Sequence, residues 1–277
     1  MRHCLSPLTV CLVVSACGSP VATTEDATTL DGPGCPAIRH LAQHCGALLD
    51  EPLFMTLVDQ GSGLPNDVSI LGETSGSVCA VVHFPASNLL DNVTSMAAIG
   101  TDVFYCAATT KDGAGPLTGV ALVDGKVTTS NLRCLATTAY DEKLLVLTAL
   151  GTPVQAYAGF DAVMAGATPT TIMGTFANRL GSGDEKLYST SSMPTTIYVL
   201  DPSAGGATQV MLPPSTINVM GIAAQTGSIA IIDGYASDQQ LDLFDATTGT
   251  RKSQVLASTE LSRLHGLTNP CRVPVLQ

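Results

Sequence analysis

One pattern of polar and apolar positions recurs four times along the chain. In each copy a short apolar strand follows a polar or glycine-containing step; the copies are DVFYCAA at 102–108, KLLVLTA at 143–149, KLYSTSS at 186–192 and SIAIIDG at 228–234. From Val103 to Leu144 the spacing is 41 residues, from Leu144 to Leu187 it is 43, and from Leu187 to Ile229 it is 42. A constant spacing of this length indicates one structural unit written several times. The letters DEKL occur twice, at 141–144 and 184–187, where two of these strands begin. They therefore predict a tight turn that leads into a strand.

Each copy is flanked by two further recognisable segments. A strand rich in small residues precedes it: MAAIG at 96–100, CLATTAY at 134–140, FANRLGSG at 176–183 and MGIAAQTG at 220–227. An alternating segment broken by Asp and Gly follows it, at 117–127, 154–164, 196–210 and 241–255. That composition is typical of a hairpin turn between two strands. The unit is therefore predicted to hold four short strands.

Four aspartates occupy equivalent places in these predicted turns: Asp124, Asp161, Asp201 and Asp245. An aspartate in a turn accepts hydrogen bonds from backbone N–H groups just ahead of it. We therefore expect these side chains to support local structure rather than to bind a metal ion or a substrate.

Four strands per unit and a period near 42 predict an all-β fold, a β-propeller, because helical repeats need helix-long apolar periodicity. A single four-stranded sheet cannot bury both of its faces, whereas a ring of such sheets buries each against its neighbours. The segments YVLDPSAGGA and LFDATTG resemble the strand-turn-strand of bacterial surface propellers of the YVTN, NHL-like and quinoprotein-like kind. The resemblance covers residues 95–265 in four copies. Dividing a body of about 220 residues by a period of roughly 42 predicts five four-stranded blades, with six as the alternative count.

The two ends of the body supply the material for one more blade. Residues 50–94 are about one period long and contain FMTLVDQGSG and SVCAVVHFPAS as predicted strands, while LSRLHGLTNP at 261–270 reads as the first strand of an unfinished unit. We expect strands from both termini to share one blade and close the ring. A disulfide between Cys271 and an early cysteine such as Cys79 would lock that closure.

The first residues have the layout of a secretory signal: Arg2, an apolar stretch, and small residues that end at Cys17. The letters Val14-Ser15-Ala16-Cys17 resemble the lipobox of bacterial lipoproteins, in which cleavage before the cysteine leaves it to carry lipid. The resemblance implies a signal peptide over 1–16, a lipid on Cys17 and a location in the cell envelope. Gly18 in place of an aspartate favours the outer membrane. An ordinary cleavable signal and a cytoplasmic protein are the alternatives.

Cysteine parity supports lipidation of Cys17. Nine cysteines are present, and two of them lie within residues 1–16. If Cys17 carries the lipid, six remain, which is enough for three disulfides whose connectivity the sequence leaves open. The six disulfide candidates are Cys35, Cys45, Cys79, Cys106, Cys134 and Cys271.

Residues 17–34 are small, polar and turn-forming, and they predict a flexible tether of about 20 to 25 Å. The body is then 35–277. It opens with one predicted helical segment, at 36–49, and Cys35 and Cys45 are expected to pair or to staple that segment onto the body. His40 and His44 have the i, i+4 spacing of zinc ligands with Cys45 beside them. Because the sequence shows no clear further ligand near them, we interpret both residues as ordinary histidines.

Charge and missing motifs limit the possible functions. Removal of Arg2 with the signal leaves eleven basic residues against 23 acidic ones, so the surface repels nucleic acid and anionic headgroups. The chain contains no G-x-S-x-G elbow, P-loop or G-x-G-x-x-G motif. No catalytic residue, cofactor or metal site is predicted.

The sequence favours a lipid-anchored, monomeric propeller that binds a partner protein or an extracellular ligand through loops at one end of the ring. Its only predicted membrane contact is the lipid on Cys17. The alternatives are a propeller enzyme, such as a metal-dependent lactonase or lyase with carboxylates or amides from several blades in the channel, and a purely structural envelope lipoprotein.

Overall fold

In the computed structural model, described residues are 41–61, 64–85, 90–110, 113–191, 193–203, 205–213, 218–234, 239–257 and 263–269. They all lie within one compact unit, 31–277; a second unit, 1–30, falls outside the described residues. The signal peptide, Cys17, the tether, Cys35 and Cys271 therefore lie outside the described residues, and what the sequence indicates about them stays a prediction.

Short strands make up most of the described chain. In order they are β1 (Leu53–Asp59), β2 (Asn66–Gly72), β3 (Val78–Phe84), β4 (Met96–Ile99), β5 (Asp102–Cys106), β6 (Gly115–Ala121), β7 (Val127–Cys134), β8 (Ala136–Tyr140), β9 (Lys143–Leu147), β10 (Val154–Tyr157), β11 (Thr170–Ile172), β12 (Arg179–Gly183), β13 (Lys186–Thr190), β14 (Thr196–Asp201), β15 (Gly206–Met211), β16 (Val219–Gln225), β17 (Ser228–Asp233), β18 (Gln240–Asp245), β19 (Arg251–Leu256) and β20 (Arg263–Thr268). Within the ranges given above, the α-helix α1 (Phe160–Met164) and the 3-10 helices Gln43–Asp50 and Leu90–Asn92 accompany these strands.

The strands form five antiparallel sheets of four strands each. Blade 1 has the order β20-β1-β2-β3, blade 2 is β4 to β7, blade 3 is β8 to β11, blade 4 is β12 to β15 and blade 5 is β16 to β19. The first strand of each blade contacts the first strand of the next, in the closed order β4, β8, β12, β16, β20 and back to β4. The chain is thus a five-bladed β-propeller, as the period near 42 predicts.

Five apolar clusters lie between the blades, one at each junction. The cluster between blades 4 and 5, for example, joins Ile197 and Val199 of β14 to Ile229 and Ile231 of β17. Ala230 and Ile232, on the opposite face of β17, pack toward blade 1. Both faces of a blade are therefore buried, which explains why second strands such as SIAIID read as continuous apolar runs rather than as a strict alternation.

Strands from the two ends of the body close the ring. In blade 1 the C-terminal β20 pairs with β1, with Val58 opposite Leu264 and Leu57 opposite His265. The prediction that strands from both termini share a blade is confirmed. Strand β2 of this blade was not among the predicted strands. Its sequence NDVSILG is buried along its whole length.

Two expectations are wrong. Asp161 does not lie in a hairpin turn: it is in the first turn of α1, since blade 3 joins its third and fourth strands through this helix. Cys79 does not reach toward the C-terminus, because it is bonded to Cys45, 34 residues before it. That disulfide staples the 3-10 helix Gln43–Asp50 to β3, as expected for Cys45. A second disulfide joins Cys106 to Cys134 within blade 2.

Candidate binding surface at the loop end of the ring

Equivalent strands of the five blades run in the same direction along the ring axis, so equivalent turns and loops gather at the same end of the ring. Neighbouring inner strands run parallel: a Cβ on Gly181 would lie 2.2 Å from the carbonyl oxygen of Ile222, and one on Gly183 would lie 1.7 Å from that of Ala224. The turns between first and second strands therefore gather at one end, here named the turn end. The loops between second and third strands, and the connectors between blades, gather at the other, here named the loop end.

The inner strands pack closely against one another around the axis. Glycine or hydroxyl contacts join inner strands at every junction: Thr137 N–H to Ser95 Oγ, Thr138 Oγ1 to Ser182 Oγ, Gly181 against Ile222, Gly221 against Leu267, and Gly266 against Met96. Strands β12 and β16 are buried at every residue. The small residues that precede each repeat are thus explained, since larger side chains would force the inner strands apart.

Arg179 anchors the loop end of the axis. Its side chain is 1% exposed, and its Nε donates a hydrogen bond to the carbonyl oxygen of Val219 at 3.0 Å. Nearby, the hydroxyl of Thr94 approaches the carbonyl oxygen of Asn178 at 3.5 Å, although these residues belong to blades 2 and 4. Polar groups from nonadjacent blades therefore meet here, as expected for a five-bladed ring.

Three blades project an exposed apolar side chain from the same loop, the one between the second and third strands. Leu64 in blade 1 is 55% exposed, Leu150 in blade 3 is 60% exposed and Met193 in blade 4 is 75% exposed. The loops of blades 3 and 4, TALGTP at 148–153 and SSMPT at 191–195, contain no charged residue. Exposed large apolar side chains also occur at the turn end, at Val123 (66%) and Met164 (51%). The repetition on equivalent loops of three blades is what makes the loop end a candidate interaction surface.

The turn end is acidic. Acidic residues at its turns are Glu51, Glu73, Asp102, Asp124, Asp141, Glu142, Asp161, Asp184, Glu185, Asp201 and Asp245; the basic residues there are Lys126, Lys143, Lys186, Arg251 and Lys252. Burial raises the pKa of Asp102, and the charges of Asp161 and Asp124 add to the rise. Among the described residues, the negative charge is thus greatest at the end opposite the exposed apolar loops.

The turn aspartates have the local role that the sequence predicts. Asp124 accepts a hydrogen bond from the backbone N–H of Lys126, and Asp201 accepts one from that of Ser203. Asp245 accepts two, from Thr247 and Thr248. These two N–H groups, that of Thr248 foremost, lower the pKa of Asp245 to about 2.

A buried carboxylate and an exposed imidazole meet on blade 1. Asp67 on β2 lies opposite His83 on β3, and its Oδ1 is hydrogen-bonded to His83 Nδ1. Gln60 Nε2 donates to the other oxygen at 2.6 Å. The imidazole is 73% exposed while the carboxylate is 4% exposed, so the pair fixes the ring orientation of a surface histidine.

His44, Cys45 and Cys79 bring three potential metal-binding atoms within 4.8 Å of one another, the one such group among the described residues. The two sulfurs are joined to each other, however, and His44 Nε2 is hydrogen-bonded to the carbonyl oxygen of Ala80 at 2.7 Å. His40, the other half of the spacing seen in the sequence, lies outside the described residues. The geometry gives these residues a stapling role.

The sequence analysis did not single out the three exposed apolar residues of these loops. Leu64, Leu150 and Met193 are single apolar residues in polar loops, and exposure of such a residue depends on where the fold places its loop. One feature of the sequence could have indicated exposed loop tips: a proline follows each of these residues within three positions. Proline stiffens a loop and would hold its tip away from the core.

The arrangement of blades defines the protein as a β-propeller, a class compatible with a protein-binding module. No protein-family model matches the chain, and no curated protein matches it. Among solved structures it is similar to a chain in the crystal structure of a nidogen/laminin complex, with 11% identity, a TM-score of 0.49, and coverage of 80% of this chain and 100% of that one. No described helix is long and apolar enough to cross a membrane.

Proposed function

We propose that this protein is a lipid-anchored β-propeller of the cell envelope that binds a partner protein through its loop end. The observation that carries the proposal is the exposure of Leu64, Leu150 and Met193 on equivalent loops, at the end away from most of the charge. Methionine and leucine exposed together favour contact with protein, because interface cores are depleted in charge and enriched in methionine. The close packing of the inner strands favours contact across the loop tips over entry of a ligand into the ring.

Charge supports a protein partner over other large ligands. With a formal net charge of −11, the chain repels nucleic acid and anionic lipid headgroups. The acidic turn end would also be repelled from an anionic membrane. A tether that begins at Cys17 would allow the loop end to reach a partner some 20 to 25 Å from the anchor.

A photo-reactive amino acid at Met193 tests the loop end in cells of the native host. We expect a discrete adduct from Met193 and none from Val123, a 66% exposed residue at the turn end. The adduct protein is then purified and its affinity measured by calorimetry. Leu150→Ser and Met193→Ser should each weaken binding about tenfold, since central interface residues contribute more than 1 kcal/mol.

Val123→Ser is the matched control and should leave the affinity unchanged. The proposal is overturned if Val123→Ser weakens binding as much as Met193→Ser does, or if the purified body turns over an identifiable substrate by itself.

The anchor needs a separate test. Mass spectrometry of the exported protein should find acyl chains on Cys17, and Cys17→Ala should move the protein from the membrane fraction to the soluble fraction. Each buried CH₂ contributes roughly 0.8 kcal/mol, so loss of two or three chains abolishes stable anchoring. An unmodified Cys17 thiol would refute lipidation and leave the loop-end proposal standing.

A further inference from the structure

The fourth strand of every blade is an edge strand, with one side of its backbone unpaired in the sheet. These strands are β3, β7, β11, β15 and β19. An unpaired edge is a template for another strand, and proteins usually protect it with charge, irregularity, shortness or a covering segment.

Four of the five edges carry such protection. The disulfide Cys45–Cys79 and the hydrogen bond from His44 to Ala80 hold a chain segment over β3. Helix α1 contacts β7, and β11 has only three residues. Strand β19 begins with Arg251 and Lys252.

Strand β15 has none of these protections within the part of the chain described. Its six residues, Gly206–Met211 with the sequence GATQVM, include no charge and no proline, and all except Val210 are exposed. It pairs in unbroken register with β14 over its full length. Only its end is covered, because a Cβ on Gly249 of blade 5 would lie 2.0 Å from the carbonyl oxygen of Met211.

The hydrogen-bond ladder shows which groups of β15 face outward. The N–H of Leu212 donates to the carbonyl oxygen of Thr195, toward β14. Antiparallel strands alternate inward and outward groups, so Val210 and Thr208 also bond to β14. The N–H and C=O groups of Ala207 and Gln209 therefore point away from the blade.

We propose that β15 is a strand-addition site that accepts an extended segment of another protein bearing lysine or arginine. This contact lies on the side of the ring and goes beyond the loop-end proposal. Backbone groups of Ala207 and Gln209 would supply the pairing, and the exposed side chains of alternate residues would supply specificity. The formal net charge of −11 favours a basic segment over a second copy of this chain.

The test uses a capped octapeptide that alternates valine with lysine and a matched peptide that alternates valine with glutamate. We expect the basic peptide to slow hydrogen exchange of the Ala207 and Gln209 amides in two-dimensional NMR. Gln209→Pro removes an outward N–H and leaves the ladder to β14 intact, so it should weaken binding about tenfold. Gln209→Ala retains the N–H and should bind like the wild type.

Three outcomes would overturn the proposal: equal binding by Gln209→Pro, protection of turn-end amides in place of Ala207 and Gln209, or a dimer in sedimentation equilibrium that is lost in Gln209→Pro. If Gln209→Pro proves unstable in thermal unfolding, Ala207→Pro removes the other outward N–H and tests the same claim.

Discussion

A single turn residue, Asp245, contributes to the acid response of this protein. The backbone N–H groups of Thr248 and Thr247 lower the pKa of Asp245 to about 2, below the ordinary 3.8. A folded-state pKa below the unfolded value means that the carboxylate stabilises the fold above pH 3.8 and that this contribution is lost as the pH falls toward 2.

Asp245→Asn should therefore flatten the pH dependence of the free energy of unfolding between pH 2 and 4, because the amide does not titrate. Urea unfolding at several pH values measures this, and NMR titration of the wild-type carboxylate should give a midpoint near 2. A midpoint near 3.8 would contradict the hydrogen-bonded geometry.

Asp242 is the opposite case, a carboxylate buried within β18. Burial raises its pKa, and Arg251, whose Nη2 lies 3.3 Å from Oδ2, opposes the rise. A raised folded-state pKa means that ionisation costs stability as the pH rises through it. The arginine also lies over the ring of Phe244, 5.4 Å from its centroid.

Arg251→Met keeps the packing on Phe244 and removes the charge, so it should lower the free energy of unfolding by about 1 to 3 kcal/mol. The loss should grow as the pH rises through the raised pKa of Asp242 and shrink as that carboxyl group becomes protonated at lower pH. Adding Asp242→Asn should restore most of the loss. An equal loss with and without Asp242→Asn would show that the pair is not coupled.

At the scale of elements, the repeated DEKL is the first-to-second-strand turn of blades 3 and 4. Asp141 and Glu142 have φ values of 48° and 57°, and Asp184 and Glu185 have values of 45° and 59°. Both central residues of such a hairpin turn need positive φ, which costs a residue with a Cβ roughly 1 to 2 kcal/mol.

Glu142→Gly should therefore raise the free energy of unfolding by about 0.5 to 1 kcal/mol, after allowing for the extra entropy of glycine in the unfolded chain. Thermal and urea unfolding measure the change. Glu142→Ala keeps the Cβ and should give no gain. If both substitutions stabilise equally, side-chain charge at the acidic end, and not backbone strain, is the cause.

The sequence predicts a strand or turn well where a local pattern repeats. It predicts poorly where contacts with a neighbouring blade determine the local structure. Strands β5, β9, β13 and β17 are clear because apolar residues on both faces are needed between blades. The segment GFDAVM was wrongly predicted as a turn because it has the aspartate and glycine of a hairpin. In the structure it forms a helix, which places Val163 in an apolar cluster with residues of blade 2. The exposure of Leu150 or Met193 is set by ring geometry, which no local pattern contains.

At the scale of the whole molecule, close approach at the axis holds the ring together. A Cβ on Gly183 would lie 1.7 Å from the carbonyl oxygen of Ala224 in the next blade. Gly183→Ala should lower the free energy of unfolding by about 3 kcal/mol, because the inner strands must separate. Gly206 has nothing within 4 Å of such a Cβ, so Gly206→Ala should change the value by less than about 0.5 kcal/mol in the same urea titration.

The two ends of the ring differ in the side chains that the described residues place there. Acidic turns give the turn end a strong negative potential, and three uncharged loop tips offer apolar contact at the other end. Both proposals, partner binding at the loop end and strand addition at β15, depend on a ring that is closed and therefore rigid.

Closure is tested most directly by hydrogen exchange of β20, monitored by mass spectrometry on peptides that cover Arg263–Thr268. Since β20 pairs with β1 and is buried from Leu264 to Thr268, its amides should exchange as slowly as those of Val219–Gln225 in β16. Exchange of β20 within seconds, while β16 stays protected, would show that the C-terminal strand is not part of blade 1 and that the ring is open.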